Sequence, residues 1–375
     1  MKFVISSSTL LSALQTAGKV VSTKNTLPIL DYFLLEARGG QLHITASDLE
    51  TTIVGSIPVD SVEKEGIIAA QSKLMLDLLK EFSEQPLTIE ADESTWEITV
   101  KWKTGSLKVP GTSGLSYPAL PELGGEHREM TFEVDTLLGG INRAVFATAD
   151  DELRPVMNGV FINAEPQAVT FVATDAHKLV RYTVETPDAG EPASFILPKK
   201  PVNLLRTVLL KEEEPIKVAF DAKNVRFTLR NNTVVCRQIE GTYPNYNAVI
   251  PAGNPNKLLA DRLELLNAVK RVAVCSNQST NMIKFDISTD SITLTAQDLD
   301  FSASATETLT CSYDGDPITI GFKSTFLVEI LSNIETPSIR LELADSTRAG
   351  VFRPVYDDKQ TSDTLMLLMP MMINA

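Results

Sequence analysis

Thr45-Ala46-Ser47-Asp48-Leu49, Ala173-Thr174-Asp175-Ala176-His177 and Thr295-Ala296-Gln297-Asp298-Leu299 repeat one another along the chain, with their aspartates 127 and then 123 residues apart. Two unrelated landmarks keep the same beat: the leucine pairs Leu10/Leu11, Leu137/Leu138 and Leu265/Leu266, stepping by 127 and 128, and Pro118, Pro244 and Pro370, stepping by 126 and 126. Agreement among independent landmarks over one period is the mark of a tandem triplication. Three units of about 126 residues, each long enough to bury its own core, account for all 375 residues. A chain built this way makes shape by repeating one module.

The 34 Lys plus Arg against 48 Asp plus Glu give a formal charge of −14, which argues against a plain basic nucleic-acid binder. Three cysteines, Cys236, Cys275 and Cys311, are too far apart for a CxxC zinc pattern or a disulfide framework. Met1-Lys2-Phe3-Val4-Ile5 leads into polar residues without an apolar signal run or membrane span. Together these predict a reduced, cytoplasmic setting, in which the sequons at Asn231 and Asn277 are idle.

Each copy opens on a helix. Leu10, Leu14, Ala17 and Val21 share a face behind the capping candidates Ser6, Ser7 and Ser8; Val134, Leu137, Leu138, Ile141 and Val145 form the second version, and Leu265, Leu266, Val269, Val272 and Ala273 the third. Alternating strands at 41–45, 168–172 and 291–295 run into the repeated Asp. A second helix follows near 73–82, 201–210 and 325–333, with Pro201 admissible in a first turn, and strands at 96–100, 225–229 and 338–342 help to close the units. The predicted fold class is α+β, three tandem copies of two helices on antiparallel sheet. Pro/Gly-rich joins at 118–126 and 251–256 divide it into domains 1–120, 128–246 and 247–375.

Aligning the copies by their leucine pairs puts Ser12, Gly139 and Asn267 together, then Gln15, Asn142 and Lys270, then Thr16, Arg143 and Arg271. None of these outward positions is acidic. The second helices add Lys80, Arg206 and the pair Lys199/Lys200. Such a face can hold phosphates without reading bases. It is equally what an ordinary solvated helix face looks like, and the residues alone leave both readings open.

Chemistry is sparse. Neither GxxxxGK[ST] nor a GxGxxG after a strand occurs, so a P-loop is excluded. His43, His127 and His177 show no metal-ligand spacing, and His43, mid-strand, is expected to face solvent. Ser61-Val62-Glu63-Lys64 fits SxxK and Lys103-Thr104-Gly105 fits KTG, the marks of a serine acylase using Ser61 and Lys64, but Ser47-Asp48-Leu49 is not SDN and lies on the wrong side of the would-be nucleophile. The acid runs at 150–152 and 212–214 read as a loop and a solvated helix end. The repeated Asp reads as a turn acceptor for backbone N–H groups. No metal and no cofactor is expected.

The chain closes on Leu365-Met366-Leu367-Leu368-Met369-Pro370-Met371-Met372-Ile373. Buried, this is a final core strand; exposed, its methionines would form an adaptable groove for short hydrophobic peptides.

Taken in order, Thr26-Leu27-Pro28-Ile29-Leu30, 45–50, Val172-Ala173-Thr174-Asp175-Ala176-His177-Lys178-Leu179, Glu240-Gly241-Thr242-Tyr243-Pro244-Asn245-Tyr246, Ile320-Gly321-Phe322 and Met369-Pro370-Met371 carry a resemblance over essentially the whole chain. The chain resembles the bacterial DNA polymerase III beta subunit family, the replicative sliding clamps. The resemblance implies a non-catalytic homodimer, head to tail, whose similar domains close a ring around duplex DNA with helices inside, and which tethers the polymerase, the clamp loader and repair proteins by their short hydrophobic peptides. It implies a peptide pocket at Met157, Thr174, Ala176, His177, Lys178, Leu179, Pro244, Val249, Phe326, Leu368, Met369, Pro370 and Met371. Lysine at 178 stands where arginine is frequent in the family, Ala176 where glycine is, and Ala248 where a basic residue can occur. DNA contacts are implied at Lys24, Lys199 and Lys200, to which the repeat adds Lys80, Arg143, Arg206, Lys270 and Arg271. The dimer seam is expected to join Leu107-Lys108-Val109 to the partner's third domain near Val274 and Cys275. A monomeric three-domain scaffold is the alternative.

Overall fold

The computed structural model describes residues 1–186, 191–358 and 360–373; Asn374 and Ala375, the end of the C-terminal extension, lie outside the described residues. The first copy runs β1 (Lys2–Ser6), α1 (Ser7–Ala17), β2 (Tyr32–Arg38), β3 (Gln41–Ser47), β4 (Thr51–Pro58), β5 (Ser61–Lys64), β6 (Gly66–Gln71), α2 (Ser72–Lys80), β7 (Pro86–Asp92), β8 (Glu97–Trp102) and β9 (Gly105–Thr112). The second runs β10 (Arg128–Phe132), α3 (Val134–Ala144), β11 (Gly159–Glu165), β12 (Ala168–Thr174), β13 (Lys178–Glu185), β14 (Ala193–Pro198), α4 (Lys199–Val208), β15 (Ile216–Phe220), β16 (Asn224–Thr228) and β17 (Asn232–Arg237). The third runs β18 (Asn256–Asp261), α5 (Arg262–Ala273), β19 (Met282–Ile287), β20 (Ser291–Asp298), β21 (Ala303–Thr310), β22 (Ser312–Asp314), β23 (Ile318–Lys323), α6 (Ser324–Ser332), β24 (Ser338–Leu343), β25 (Gly350–Pro354) and β26 (Ser362–Leu368).

Apart from the short β5 and β22, every copy is the run βαβββ written twice, a finer duplication inside the triplication. The predicted α+β triplicate is therefore present. All strand pairs are antiparallel, and they join in a way that divides the second copy. The chain forms two compact units, residues 1–138 with 200–240 and residues 139–199 with 241–375. In the first unit β17 of the second copy pairs with β4 of the first, Cys236 opposite Thr51 and Asn232 opposite Gly55. In the second unit β13 of the second copy pairs with β26 of the third, Lys178 opposite Leu368 and Val184 opposite Ser362.

Alternation and helical periodicity both deliver side chains to the same interior. Phe3 and Ile5 point inward from β1, and Leu10 and Leu14 from α1. Gly140 lets α3 sit directly on a core ring, since a Cβ there would come 2.3 Å from Phe171 Cδ2. Some local expectations need correction. Helix α1 stops at Ala17, so Val21 lies beyond it and the adjacent Val20 is buried instead. Ser6 occupies the N-cap without a side-chain capping bond. His43 lies, as expected, on the outward face of β3, half-buried there: its Nδ1 is 2.8 Å from Ser56 Oγ, and burial pulls its pKa below the ordinary value.

Candidate functional site

The three repeated aspartates do the same structural work. Asp48 Oδ1 accepts the N–H groups of Glu50 and Thr51 at 3.0 and 2.6 Å, Asp175 Oδ1 those of His177 and Lys178 at 2.9 and 2.8 Å, and Asp298 Oδ1 those of Asp300 and Phe301 at 3.0 and 3.3 Å. A short carboxylate closing its own turn leaves a tip free to carry other residues. In the first copy the turn is held from below, Ser47 N–H donating to Tyr117 Oη at 3.0 Å; Tyr243, one period after Tyr117, is buried and stacks on Phe161 with ring centroids 4.8 Å apart.

The second of these turns, in the second unit, gathers several of the expected pocket residues around it. Thr174 Oγ1 donates to the Lys178 carbonyl at 2.8 Å and accepts Ala176 N–H at 3.1 Å, with Ala176 at a φ of 73°. Lys178 is almost fully buried, its Nζ 2.6 Å from Asp175 Oδ2, 3.1 Å from Glu329 Oε2 and 4.4 Å from the centre of the Phe326 ring. His177 stays exposed and stacks on Phe326 at 6.0 Å, and its carbonyl accepts Met369 N–H at 2.9 Å. Beyond Met369 the chain crosses to another sheet, where Met371 N–H donates to the Gly321 carbonyl at 2.8 Å.

The C-terminal run thus divides at one residue. Thr364 to Leu368 are core strand, whereas Met369 and Met372 are 43% and 87% exposed. Leu368 has no exposed surface, so among the expected pocket residues it supports the wall from inside; Leu179 and Thr174 are buried in the same way. His177, Phe326 and Met369 are brought together by the contacts above, and Pro370 and Met371 follow along the chain, Met371 bonded to Gly321. Met157, Pro244 and Val249 lie on the second-copy side, where Tyr243 and Phe161 are packed, with Val249 exposed and the other two half-buried. Lys323, 4.8 Å over Phe326, and Glu329, three residues along α6 from Phe326, were not anticipated; their signal was position on that helix turn. A polar cleft of about 510 Å³ adjoins the groove and shares His177, Lys178 and Glu329 with it.

The cationic helix positions mostly have partners already. Lys80 pairs with Asp77 at 3.2 Å, Lys199 with Asp150 at 2.9 Å, Arg143 with Glu335, Lys200 with Asp48, and Arg271 with Glu307. The Arg271 hydrogen bond in turn holds the Glu307 carboxyl below its usual range. Arg143 also stacks on Tyr182, 4.9 Å from the ring centre, and Lys200 reaches the Val20 carbonyl at 2.7 Å, so both brace the fold. Arg206 reaches Asn203 Oδ1 at 3.4 Å. Lys24 and Lys270 are exposed with no carboxylate within 4.0 Å among the described residues. Lys211, which the repeat did not single out, donates to Ser12 Oγ at 3.2 Å across a groove of about 430 Å³ between α1 and α4.

Of the strands left with a free side, which include the outermost β5, β10, β14 and β22, two bear on the expected seam. β9 pairs fully with β8 but with β6 only at Gly111 and Thr112, leaving Leu107, Lys108 and Val109 on an open edge. Among the described residues β21 pairs with β20 alone. Val274 and Cys275 directly follow α5, which Arg271 ties to β21 through Glu307; Val274 is 83% exposed. The acylase alternative gains no support: Ser61 and Lys64 lie on the short strand β5, whose pairing with β1 is interrupted by a bulge after Val62, and no hydrogen bond joins the two side chains among the described residues.

Models of three families match in order: the N-terminal domain of the DNA polymerase III beta subunit over 1–121, its central domain over 131–245 and its C-terminal domain over 247–371. The beta sliding clamp of Pseudomonas putida is 26% identical over 373 residues, 99% of this chain and 100% of that one. That of Synechococcus elongatus is 27% identical over 387 residues, covering both chains completely. Among solved structures, a Pseudomonas aeruginosa DnaN sliding clamp bound to griselimycin superposes with a TM-score of 0.93 at 25% identity, over all of both chains.

Proposed function

The chain belongs to the DNA polymerase III beta subunit family, and from that premise we propose how its open edges, cationic helices and C-terminal groove serve a replicative sliding clamp. It is a non-catalytic processivity subunit of DNA polymerase III: a dimer that encircles duplex DNA and binds the polymerase and other partners through peptides. The work is mechanical, so no reacting group has to be assigned.

The observation that carries the residue-level reading is the pair of open edges. The strand after each Asp turn (β4, β13, β21) and the last strand of each copy (β9, β17, β26) form two series. β4 takes β17 and β13 takes β26, which leaves β21 and β9. Pairing β21 of one protomer with β9 of its partner repeats the same joint, and a head-to-tail contact that closes makes a ring. Leu107, Lys108, Val109, Val274 and Cys275 then belong to the seam, and 1–120, 128–246 and 247–375 to three equivalent domains.

Enclosure explains how a chain of net charge −14 stays on DNA. A ring need not bind tightly; it needs a lining that slides. Lys24, Lys80, Arg143, Lys199, Lys200, Arg206, Lys270 and Arg271 are proposed as that lining. Where a carboxylate already neutralises the cation, a phosphate must displace it, so each contact is shallow and exchangeable.

The groove at Met157, Thr174, Ala176, His177, Lys178, Leu179, Pro244, Val249, Phe326, Leu368, Met369, Pro370 and Met371 is proposed as the slot for partner peptides, the clamp loader and repair factors among its users. Methionine rims adapt to differently shaped apolar anchors, and the stacked His177 and Phe326 offer a flat wall. The proposed setting is the cytoplasm, on the nucleoid.

The test is retention after loading. On closed circular DNA in raised salt the protein should persist, while on linear DNA it should run off the ends. Equal loss from both would mean that contact holds it and not topology. A monomer mass in solution would favour the scaffold alternative.

A further inference from the structure

The three Asp turns differ in what covers them. The first is covered from the second copy: Lys200 pairs with Asp48, and Arg237 N–H donates to the Glu50 carbonyl at 2.8 Å. The second is covered from the third copy: Phe326 stacks on His177 and Met369 N–H binds its carbonyl. In both cases one covering side chain stands at the start of the later copy's second helix, at positions 200 and 326, one period of 126 apart. The third turn has no such cover among the described residues and presents Leu299 and Phe301 at 77% and 71% exposure. Turn tips favour small polar residues, so two large apolar side chains this exposed at one tip call for a covering surface; Leu49, the counterpart of Leu299 in the first copy, is exposed less, at 42%. Val274, 83% exposed behind α5, adds a third on the same domain.

Stepping back one further period from 200 arrives at Leu74, in the first turn of α2, apolar and 37% exposed. We propose that in the closed dimer the partner's Leu74 packs on Leu299 and Phe301, making an apolar seam lock where the two junctions inside the chain are ionic and aromatic. The inference rests on the ring reading, because it is the partner's first copy that stands where a fourth copy would. An apolar lock is held by area removed from water, which salt does not screen. Its occupant is a second copy of this chain, since only that copy repeats the helix-start geometry of Lys200 and Phe326.

Dimer dissociation constants of wild type, Phe301→Asp, Leu74→Lys and the double variant, measured by sedimentation at about 0.05 and about 1 M salt, test this. Each single variant should weaken the dimer by at least about tenfold with its melting temperature unchanged, as loss of a buried anchor does. The double variant should regain most of the affinity at low salt and lose it again at high salt, while the wild type stays indifferent to salt. Wild-type affinity in Phe301→Asp, or no recovery in the double variant, overturns the lock. Those results leave the ring itself standing if the wild type is still a dimer retained on circular DNA; a monomeric wild type would instead remove the ring reading.

Discussion

Lys178 is the residue on which the groove wall turns. Buried between Asp175 and Glu329, it cannot lose a carboxylate cheaply, because removing one partner of a buried pair strands the other. Asp175→Asn keeps an oxygen for the turn and removes only the charge, whereas Asp175→Ala removes both. Thermal unfolding should therefore show Asp175→Ala destabilised by about 3 kcal/mol and Asp175→Asn by clearly less; equal losses would mean that the turn bonds contribute nothing. Ala176 supplies a second residue-scale prediction. Its φ of 73° is strained for any side chain, so Ala176→Gly should raise stability by up to about 1 kcal/mol, read as a higher melting temperature with peptide binding retained. That strain is why glycine is at home in this position, and sequence shows the departure without showing its cost. Tyr117 gives one share of the alkaline pH dependence, beside Tyr243 and Cys236, whose protons burial also retains. Burial raises its phenol from 10.0 to about 12, so the folded state holds that proton more tightly than the unfolded chain. The stabilisation is fully present below about pH 10 and is lost as pH rises towards 12; Tyr117→Phe should flatten that alkaline limb, and an unchanged limb would deny the burial its role.

At the scale of elements, the helices were legible and their electrostatics were not. Spacing of Leu10, Leu14, Leu137, Ile141, Leu265 and Val269 locates three first helices because a period of 3.6 has to serve one buried face. The charge state of the opposite face depends on residues far away in sequence, such as Glu335 beside Arg143 and Asp48 beside Lys200. No spacing rule reaches that distance. The consequence is measurable in the salt dependence of DNA binding by the unloaded protein. Lys24→Ala and Lys270→Ala, which remove cations with no carboxylate within 4.0 Å among the described residues, should each reduce the slope of log K against log salt by up to about 0.9. Lys80→Ala should change it less, since Asp77 already neutralises that ammonium. Equal effects would mean that the pairing is irrelevant on DNA.

For the whole molecule, the groove and the seam should be separable. Ending the chain at Leu368 keeps β26 and its ladder with β13 but removes Met369, Pro370 and Met371. Polymerase stimulation should be abolished while the dimer mass is unchanged; stimulation that survives would remove the groove assignment. Sequence alone determined the number of copies, the α+β content and the turn role of Asp48, Asp175 and Asp298, because a period, an alternation and a short-range hydrogen bond are all local or self-similar properties of a string. It also placed Phe326 and Met369 in one groove through family resemblance, without a reason of its own. Only the tertiary structure decided that Leu368 is inside and Met369 outside, that the second copy lends one sheet to each neighbour, and that β9 and β21 are left with open edges. Those outcomes depend on which strand lies beside which, and pairing across hundreds of residues is settled by the closing of sheets and the burial of their faces, quantities that no single stretch of sequence contains.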